Sequence, residues 1–186
     1  MLIAIEGIDG SGKTTLANSL EKELNNRGIS ALSTHEPFTK EITEMIRIQG
    51  WKDPVVLTLL FAADRAIHLS WISTRNEKII ILDRYIYSTI AYQSTMGLDD
   101  KWIISVNEKF PKPQLTILLD LPEEIALKRI KKNDSFNFSE KINLLGKIRK
   151  KYIELSNDGK TIILDATETA ETLTKKATDA VLDLFS

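Results

Sequence analysis

The chain has 186 residues, 42% of them hydrophobic, and a formal net charge of −1. That length supports a sizeable core within one domain, and the composition excludes a disordered chain. The near-zero charge argues against a general electrostatic grip on DNA or RNA while leaving room for a local basic site, and the lack of cysteine excludes disulfides, thiolate metal sites and cysteine nucleophiles.

No apolar run is expected to approach the roughly 18 residues that a membrane span needs. The opening "MLIAIEGIDG" lacks the basic start and long apolar stretch of a signal peptide. The expectation is a soluble cytoplasmic protein with neither a membrane nor a nucleic-acid partner, folded as a single domain over residues 1–186. The absence of cysteine fits a reducing compartment.

Short β-rich apolar runs alternate with longer helical patterns. The runs lie at residues 2–6, 29–34, 78–83, 115–121 and 161–166. Several are apolar at nearly every position, as strands buried on both faces of a parallel sheet are. Helix signals fill the gaps. "KTTLANSLEKEL" has helical spacing, and Gly28 after Arg27 reads as its end. Asp53-Pro54 reads as an N-cap followed by proline in the first turn, where its missing N–H costs nothing. Leu121-Pro122-Glu123-Glu124 repeats that start, with acidic residues facing the positive helix end. The pattern predicts an α/β protein with a mainly parallel sheet between two layers of helices. Ligands of such sheets bind beyond the carboxyl ends of the strands. That points to Glu6, His35, Asp83, Asp120 and the residues that follow each.

The first of these junctions carries a full G-x-x-x-x-G-K-[ST] motif, Gly7-Ile8-Asp9-Gly10-Ser11-Gly12-Lys13-Thr14. Its glycines let successive backbone N–H groups point inward around a phosphate chain. Lys13 can reach the β- and γ-phosphates of a nucleoside triphosphate, and the Thr14 hydroxyl can bind Mg²⁺. The motif names the ligand class but not the reaction. At the end of the third strand, Asp83 can hold a water on the same Mg²⁺. The planar fork of Arg84 suits a second phosphate. Phe61 and Arg65 lie four apart in a helical stretch and share a face. They can stack on a base and bond its edge, but such a spacing alone is more often a core phenylalanine beside a solvated arginine.

These segments together resemble the thymidylate kinases, nucleoside monophosphate kinases of the P-loop fold. The matching elements are the glycine loop with Asp9 inside it, Glu36-Pro37, "FAADR" at 61–65 and "DRYIYSTIAYQ" at 83–93. A Pro-Glu-Glu…Lys-Arg helix then leads toward a lid, with Tyr152 in the helix after it. The resemblance implies a three-layer P-loop NTPase fold whose five-stranded parallel sheet has the order 2-3-1-4-5. It also implies a homodimer and a short lid at about 131–140. The activity it implies is transfer of a phosphoryl group from Mg²⁺·ATP to dTMP.

On that pattern Gly7, Gly10, Ser11, Gly12, Lys13, Thr14 and Thr15 would hold the ATP phosphates, with Arg129 near the adenine. Thr14 and Asp83 would hold Mg²⁺. Asp9 would organise the acceptor phosphate and its arginine, Arg84 would bind that phosphate, Glu36 would be among the dTMP-binding residues, and Lys13, Asp9 and Arg84 would be catalytic. Phe61 would stack on the pyrimidine and Arg65 would bond its edge. Ser88 and Gln93 would line the base pocket, and Tyr92 would sit against the sugar.

The sequence departs from the family in two places. After the second strand, where the family reads Arg-Glu-Pro-Gly-Gly-Thr, this chain has "HEPFTK", with His35 for an arginine and Phe38-Thr39 for two glycines. The family also supplies a catalytic arginine from the phosphate loop or the lid. Here the loop offers Gly10-Ser11, and Lys131 and Lys132 stand where the lid arginine belongs, with Arg129 and Arg149 as substitutes. A deoxynucleoside kinase would use a similar loop with Glu36 or Asp83 as general base. A kinase preferring UMP or dUMP, and a nucleotide-binding switch ATPase, also remain open.

Overall fold

The computed structural model describes residues 1–130 and 139–185. The five strands are β1 Leu2–Glu6, β2 Ala31–His35, β3 Ile79–Asp83, β4 Leu115–Asp120 and β5 Thr161–Asp165. They form one sheet in the order β2-β3-β1-β4-β5, and every pairing is parallel. The strand positions agree with the sequence runs to within two residues, the shift at β2 being the largest.

Parallel neighbours need a crossover, and helices supply it on both faces. α1 (Lys13–Asn26) and α9 (Ala170–Asp183) pack on each other. α3 (Pro54–Ile72), α4 (Ile86–Thr95), α5 (Asp100–Asn107) and α8 (Leu145–Leu155) form another packed set, and α2 (Lys40–Gln49) lies against α3. α6 (Glu123–Arg129) and the short α7 (Ser139–Ile142) flank residues 131–138, which carry the expected lid lysines and lie outside the described residues. The central strands are dry: Ile3, Ile5, Ile79, Ile81 and Ile117 are fully buried, which is why these segments read as continuous apolar runs.

The predicted helix ends hold, with one adjustment. Asp53 Oδ1 accepts from the Val55 and Val56 N–H groups at 2.8 and 3.2 Å, with Pro54 opening α3. Gly28 takes φ 76°. Its N–H donates to Asn25 O and that of Ile29 to Leu24 O, the paired closure that a left-handed residue makes after a helix. Pro122 sits one position earlier than expected, at the cap, and Glu123 starts α6.

α3 corrects the sequence expectation about membrane-spanning length. By length and composition it is sufficient to cross a bilayer, at 19 residues with mean hydropathy 1.5. Its charged groups and its imidazole, however, are buried in protein. Asp64, Arg65 and His68 are all covered, and each has a partner outside the helix.

Candidate functional site

The site is built where β1 and β3, neighbours at the sheet centre, both end. β1 stops at Glu6, and Gly7 turns the chain with φ 143°. A Cβ there would come within 2.6 Å of the Leu119 carbonyl oxygen, so the turn demands glycine. α1 then begins at Lys13 with Gly12 at its cap. No side chain caps it and no acidic residue lies in its first turn. Its first N–H groups are therefore left for an anion from outside the helix.

Lys13 is buried and folds back onto the loop, its Nζ donating to Ile8 O at 2.8 Å. Burial and the nearby Arg84 pull its pKa down to about 8, against the opposing pull of Asp83, Asp9 and Glu6. The Thr14 hydroxyl donates to Asp83 Oδ2 at 2.5 Å. One hydroxyl and one carboxylate oxygen side by side at the loop are the hard donors that suit Mg²⁺ shared with a triphosphate. Among the described residues no cluster of three or more His, Cys, Asp or Glu forms a separate metal cage. The loop opens onto a cleft of about 1140 Å³. Thr15, His35 and Asp83 line it on one side. Arg129 and the β5–α9 connection at Ala166 and Glu168 line the other. Arg129 is held there by a bond from Nη1 to Ala166 O at 3.1 Å.

A second, narrower pocket of about 90 Å³ adjoins the cleft, and Asp9, Glu36, Pro37 and Arg84 line both spaces. Arg84 follows β3 with φ 73°, the one positive φ found outside glycine among the described residues. Such a conformation costs about 1 kcal/mol for a residue with a Cβ. It aims the guanidinium at the loop. Nη2 donates to Asp9 Oδ1 at 2.7 Å, and the Tyr92 hydroxyl donates to Asp9 Oδ2 at 2.7 Å. Lys141 Nζ stands 3.2 Å from the same Oδ2. Burial alone would raise the Asp9 pKa. The positive charges of Arg84, Lys141 and Lys13 outweigh it and hold the carboxyl well below the ordinary carboxylate range.

Glu6 is the floor beneath this cluster. It accepts from the Tyr85 and Ser88 N–H groups at 3.0 and 3.1 Å and from the Ser88 hydroxyl at 2.6 Å. It thereby caps α4 from a different strand, and burial raises its pKa. The Ser88 hydroxyl also lies 2.8 Å from the Tyr152 hydroxyl and accepts from Arg84 Nη1 at 3.2 Å. Ser88 does line the pocket, but its hydroxyl is engaged in fixing Arg84.

The far end of the narrow pocket is walled by Phe61, Arg65, Gln93 and Trp51. Arg65 is fully buried. Its Nη2 and Nε donate to Glu36 Oε2 at 2.6 and 3.0 Å, Nη2 donates to Thr89, and Nη1 donates to Asn107. These bonds use four of the five guanidinium N–H groups. Glu36 was expected among the dTMP-binding residues. It lines the pocket, but its carboxylate is committed to Arg65 and to His68 Nδ1, 3.5 Å away. Gln93 is the opposite case: its side-chain oxygen and nitrogen are both buried and have no partner. An amide left bare in a pocket wall costs free energy that a ligand's complementary edge recovers. Tyr92 lies between the two ends. Its hydroxyl serves Asp9, and its ring meets Trp51 edge-on at 5.9 Å.

The departure at "HEPFTK" resolves physically. His35 pairs in register with Asp83 and faces the wide cleft. Neither Phe38 nor Thr39 needs a left-handed backbone, since neither has positive φ. Their N–H groups donate to the two Asp64 oxygens at 2.7 and 2.6 Å. The Phe38 ring stacks on His68 at 4.4 Å at the edge of the wide cleft. Arg149 pairs with Asp120 at 2.6 and 2.8 Å and lines neither space.

Sequence reasoning missed Trp51, Thr89, Asn107, Lys141 and the β5–α9 wall. Only the last carried a signal, as a connection at the carboxyl edge of the sheet.

A family model described as thymidylate kinase matches residues 5–177. A probable thymidylate kinase of Sulfurisphaera tokodaii is 53% identical over 182 residues, covering 98% of this chain and 96% of that protein. Probable thymidylate kinase 1 of Saccharolobus solfataricus is 53% identical over 169 residues, covering 90% and 89%. A probable thymidylate kinase of Methanocaldococcus jannaschii is 42% identical over 173 residues, covering 90% and 88%. With matches of this extent laid over a phosphate loop and an adjoining base-sized pocket, the chain belongs to the thymidylate kinase family.

Proposed function

We propose that the protein transfers the γ-phosphoryl group of ATP to dTMP, giving ADP and dTDP. The observation that carries this is the position of Asp9 and Arg84, which line both the loop cleft and the narrow pocket. A donor in one space and an acceptor phosphate in the other would meet there.

The chemistry follows from that arrangement. The acceptor phosphate oxygen attacks the γ-phosphorus in line, and the bond to the β–γ bridging oxygen breaks. An ionised phosphate needs little help from a general base, so catalysis is positioning plus neutralisation of charge. Lys13 and the α1 N-terminus hold the donor, and Arg84 holds the acceptor while bonded to Asp9. Asp9 is kept ionised by its neighbours and fixes the Arg84 fork. Mg²⁺, held by Thr14 and Asp83, would neutralise charge on the ATP phosphates. Arg129 lies beside the nucleoside end of the donor cleft.

In the pocket, Phe61 would stack on the pyrimidine. The free amide of Gln93 offers one donor and one acceptor, which complements the N–H and C=O edge of thymine. The remaining Arg65 N–H suits a second carbonyl. Closure of a lid at about 131–140 would exclude water.

A homodimer is supported by the apolar surface of α2 and α3. Met45, Ile48, Leu59 and Ile67 are 54, 69, 50 and 48% exposed, an arrangement that a second copy would cover. Sedimentation should give about twice the chain mass, and a monomer would end that part of the proposal. Cytoplasmic residence rests on the absence of cysteine.

Initial rates with Mg·ATP and dTMP, dUMP, UMP, dCMP, AMP or thymidine test the main claim. dTMP should be the best acceptor. Phosphorylation of thymidine but of no monophosphate would overturn it.

A further inference from the structure

We propose that Lys141 is a ligand of the acceptor phosphate, standing opposite Arg84, and so adds a second cation on the acceptor side. The inference rests on the acceptor pocket proposed above.

Lys141 belongs to α7, immediately before α8, and its side chain is only 7% exposed. α8 is anchored in the core by Leu145, Ile148 and Tyr152. Its tyrosine hydroxyl reaches the Ser88 and Glu6 side chains under Arg84. The Leu144 N–H donates to the Lys141 carbonyl at 3.0 Å. The lysine is therefore placed by packed structure.

Its location within the site selects the acceptor over the donor. Lys141 lines the narrow pocket with Asp9, Arg84, Tyr92 and Gln93, and it does not line the wide cleft. The other basic candidates that the structure describes are placed elsewhere. Arg129 is on the donor side, and Arg149 is bound to Asp120 outside both spaces.

The Asp9 carboxylate shows what the two cations can hold. Arg84 takes Oδ1 at 2.7 Å and Lys141 takes Oδ2 at 3.2 Å. They thus grip an anion from both sides through two oxygens on one atom, as they would grip two oxygens of a phosphate. Lys13, Arg84 and Lys141 all place positive charge on the Asp9 carboxylate. Positive charge gathered around one anionic group in this way also attracts an incoming dianion. An ammonium has three donors and can divide them among several oxygens. It supplies a point charge where an arginine would supply a fork.

The test compares dTMP with thymidine, which lacks the phosphate. Both are titrated calorimetrically into the full-length wild type, Lys141→Met and Lys141→Gln. Wild type should bind dTMP far more tightly than thymidine; if it does not, the acceptor pocket itself is wrongly placed. Each variant should lose about tenfold or more in dTMP affinity, with thymidine affinity within about twofold of wild type. Lys141→Arg should recover most of the loss. Equal weakening of both ligands would mean that the lysine only shapes the pocket. An unchanged dTMP-to-thymidine ratio in the variants would likewise overturn the proposal.

Discussion

The two halves of this site hold their ligands by different means. The donor half is mostly backbone: a glycine turn, an uncapped helix end and one lysine from a single stretch of eight residues. The acceptor half is all side chains, drawn from the loop, the residues just after β2 and β3, α3, α4 and α7, and tied together by bonds such as Arg65–Glu36 and Tyr92–Asp9. A backbone cradle recognises phosphate in any nucleotide, whereas a ring, an amide and a restrained guanidinium recognise one base. The general part of the reaction is thus encoded locally and the selective part globally. Substitutions in the two halves should therefore separate cleanly.

The largest effect should come from the donor half. Lys13→Met should lower kcat by about a thousandfold, with dTMP affinity nearly unchanged by direct titration. A comparable loss of dTMP affinity would erase the distinction between the halves. In the acceptor half, Phe61→Ala should weaken dTMP about tenfold through lost stacking, leaving ATP within about twofold. Equal losses for both nucleotides would remove the stacking role.

A subtler separation is by pH. In the folded, empty protein Lys13 loses its proton above about 8, below its ordinary 10.5. ATP binding favours the charged form, so affinity should fall several-fold between pH 7 and 9, with proton uptake near pH 8. Thymidine affinity should not follow it. Calorimetry in buffers of different ionisation enthalpy reads the uptake directly, and no uptake would contradict the assigned environment of Lys13. The same shift works in the other direction on stability. Because the folded pKa lies below the unfolded one, the Lys13 contribution is full above about 10.5 and is lost as pH falls through 8.

The smallest effect is a control outside both halves. Asp53→Ala removes the cap of α3 and should cost about 1 kcal/mol in denaturant unfolding, with both affinities preserved. A change in either affinity would show that the α3 start reaches the site.

The contrast between the halves also explains what was legible in the sequence. The sheet was, because strands covered on both faces leave nearly unbroken apolar runs. So was the loop, because its turn demands glycine at Gly7 and places Lys13 and Thr14 at fixed offsets. Phe61 and Gln93 were named through the family resemblance, and spacing alone left Phe61 ambiguous. The commitments among polar groups were not legible. Nothing at Glu36 says that its carboxylate serves Arg65, or at Ser88 that its hydroxyl serves Glu6 and Arg84. Those bonds join residues 29 and 82 positions apart. Lys141 was hidden for the same reason. It resembles any solvated lysine until α7 and α8 fold it against Asp9. Asp64, by contrast, shows why two missing glycines do no harm, since its carboxylate fixes Phe38 and Thr39 in ordinary backbone conformations.

Arg84 is where the halves meet, and its removal tests the division most directly. The measurement is separate equilibrium titration of Arg84→Ala with dTMP and with Mg·ATP, each against wild type. dTMP affinity should fall by about thirtyfold or more while Mg·ATP affinity stays within about twofold. Retained dTMP affinity, or an equal loss for both ligands, would contradict the assignment of Arg84 to the acceptor and with it the two-sided site.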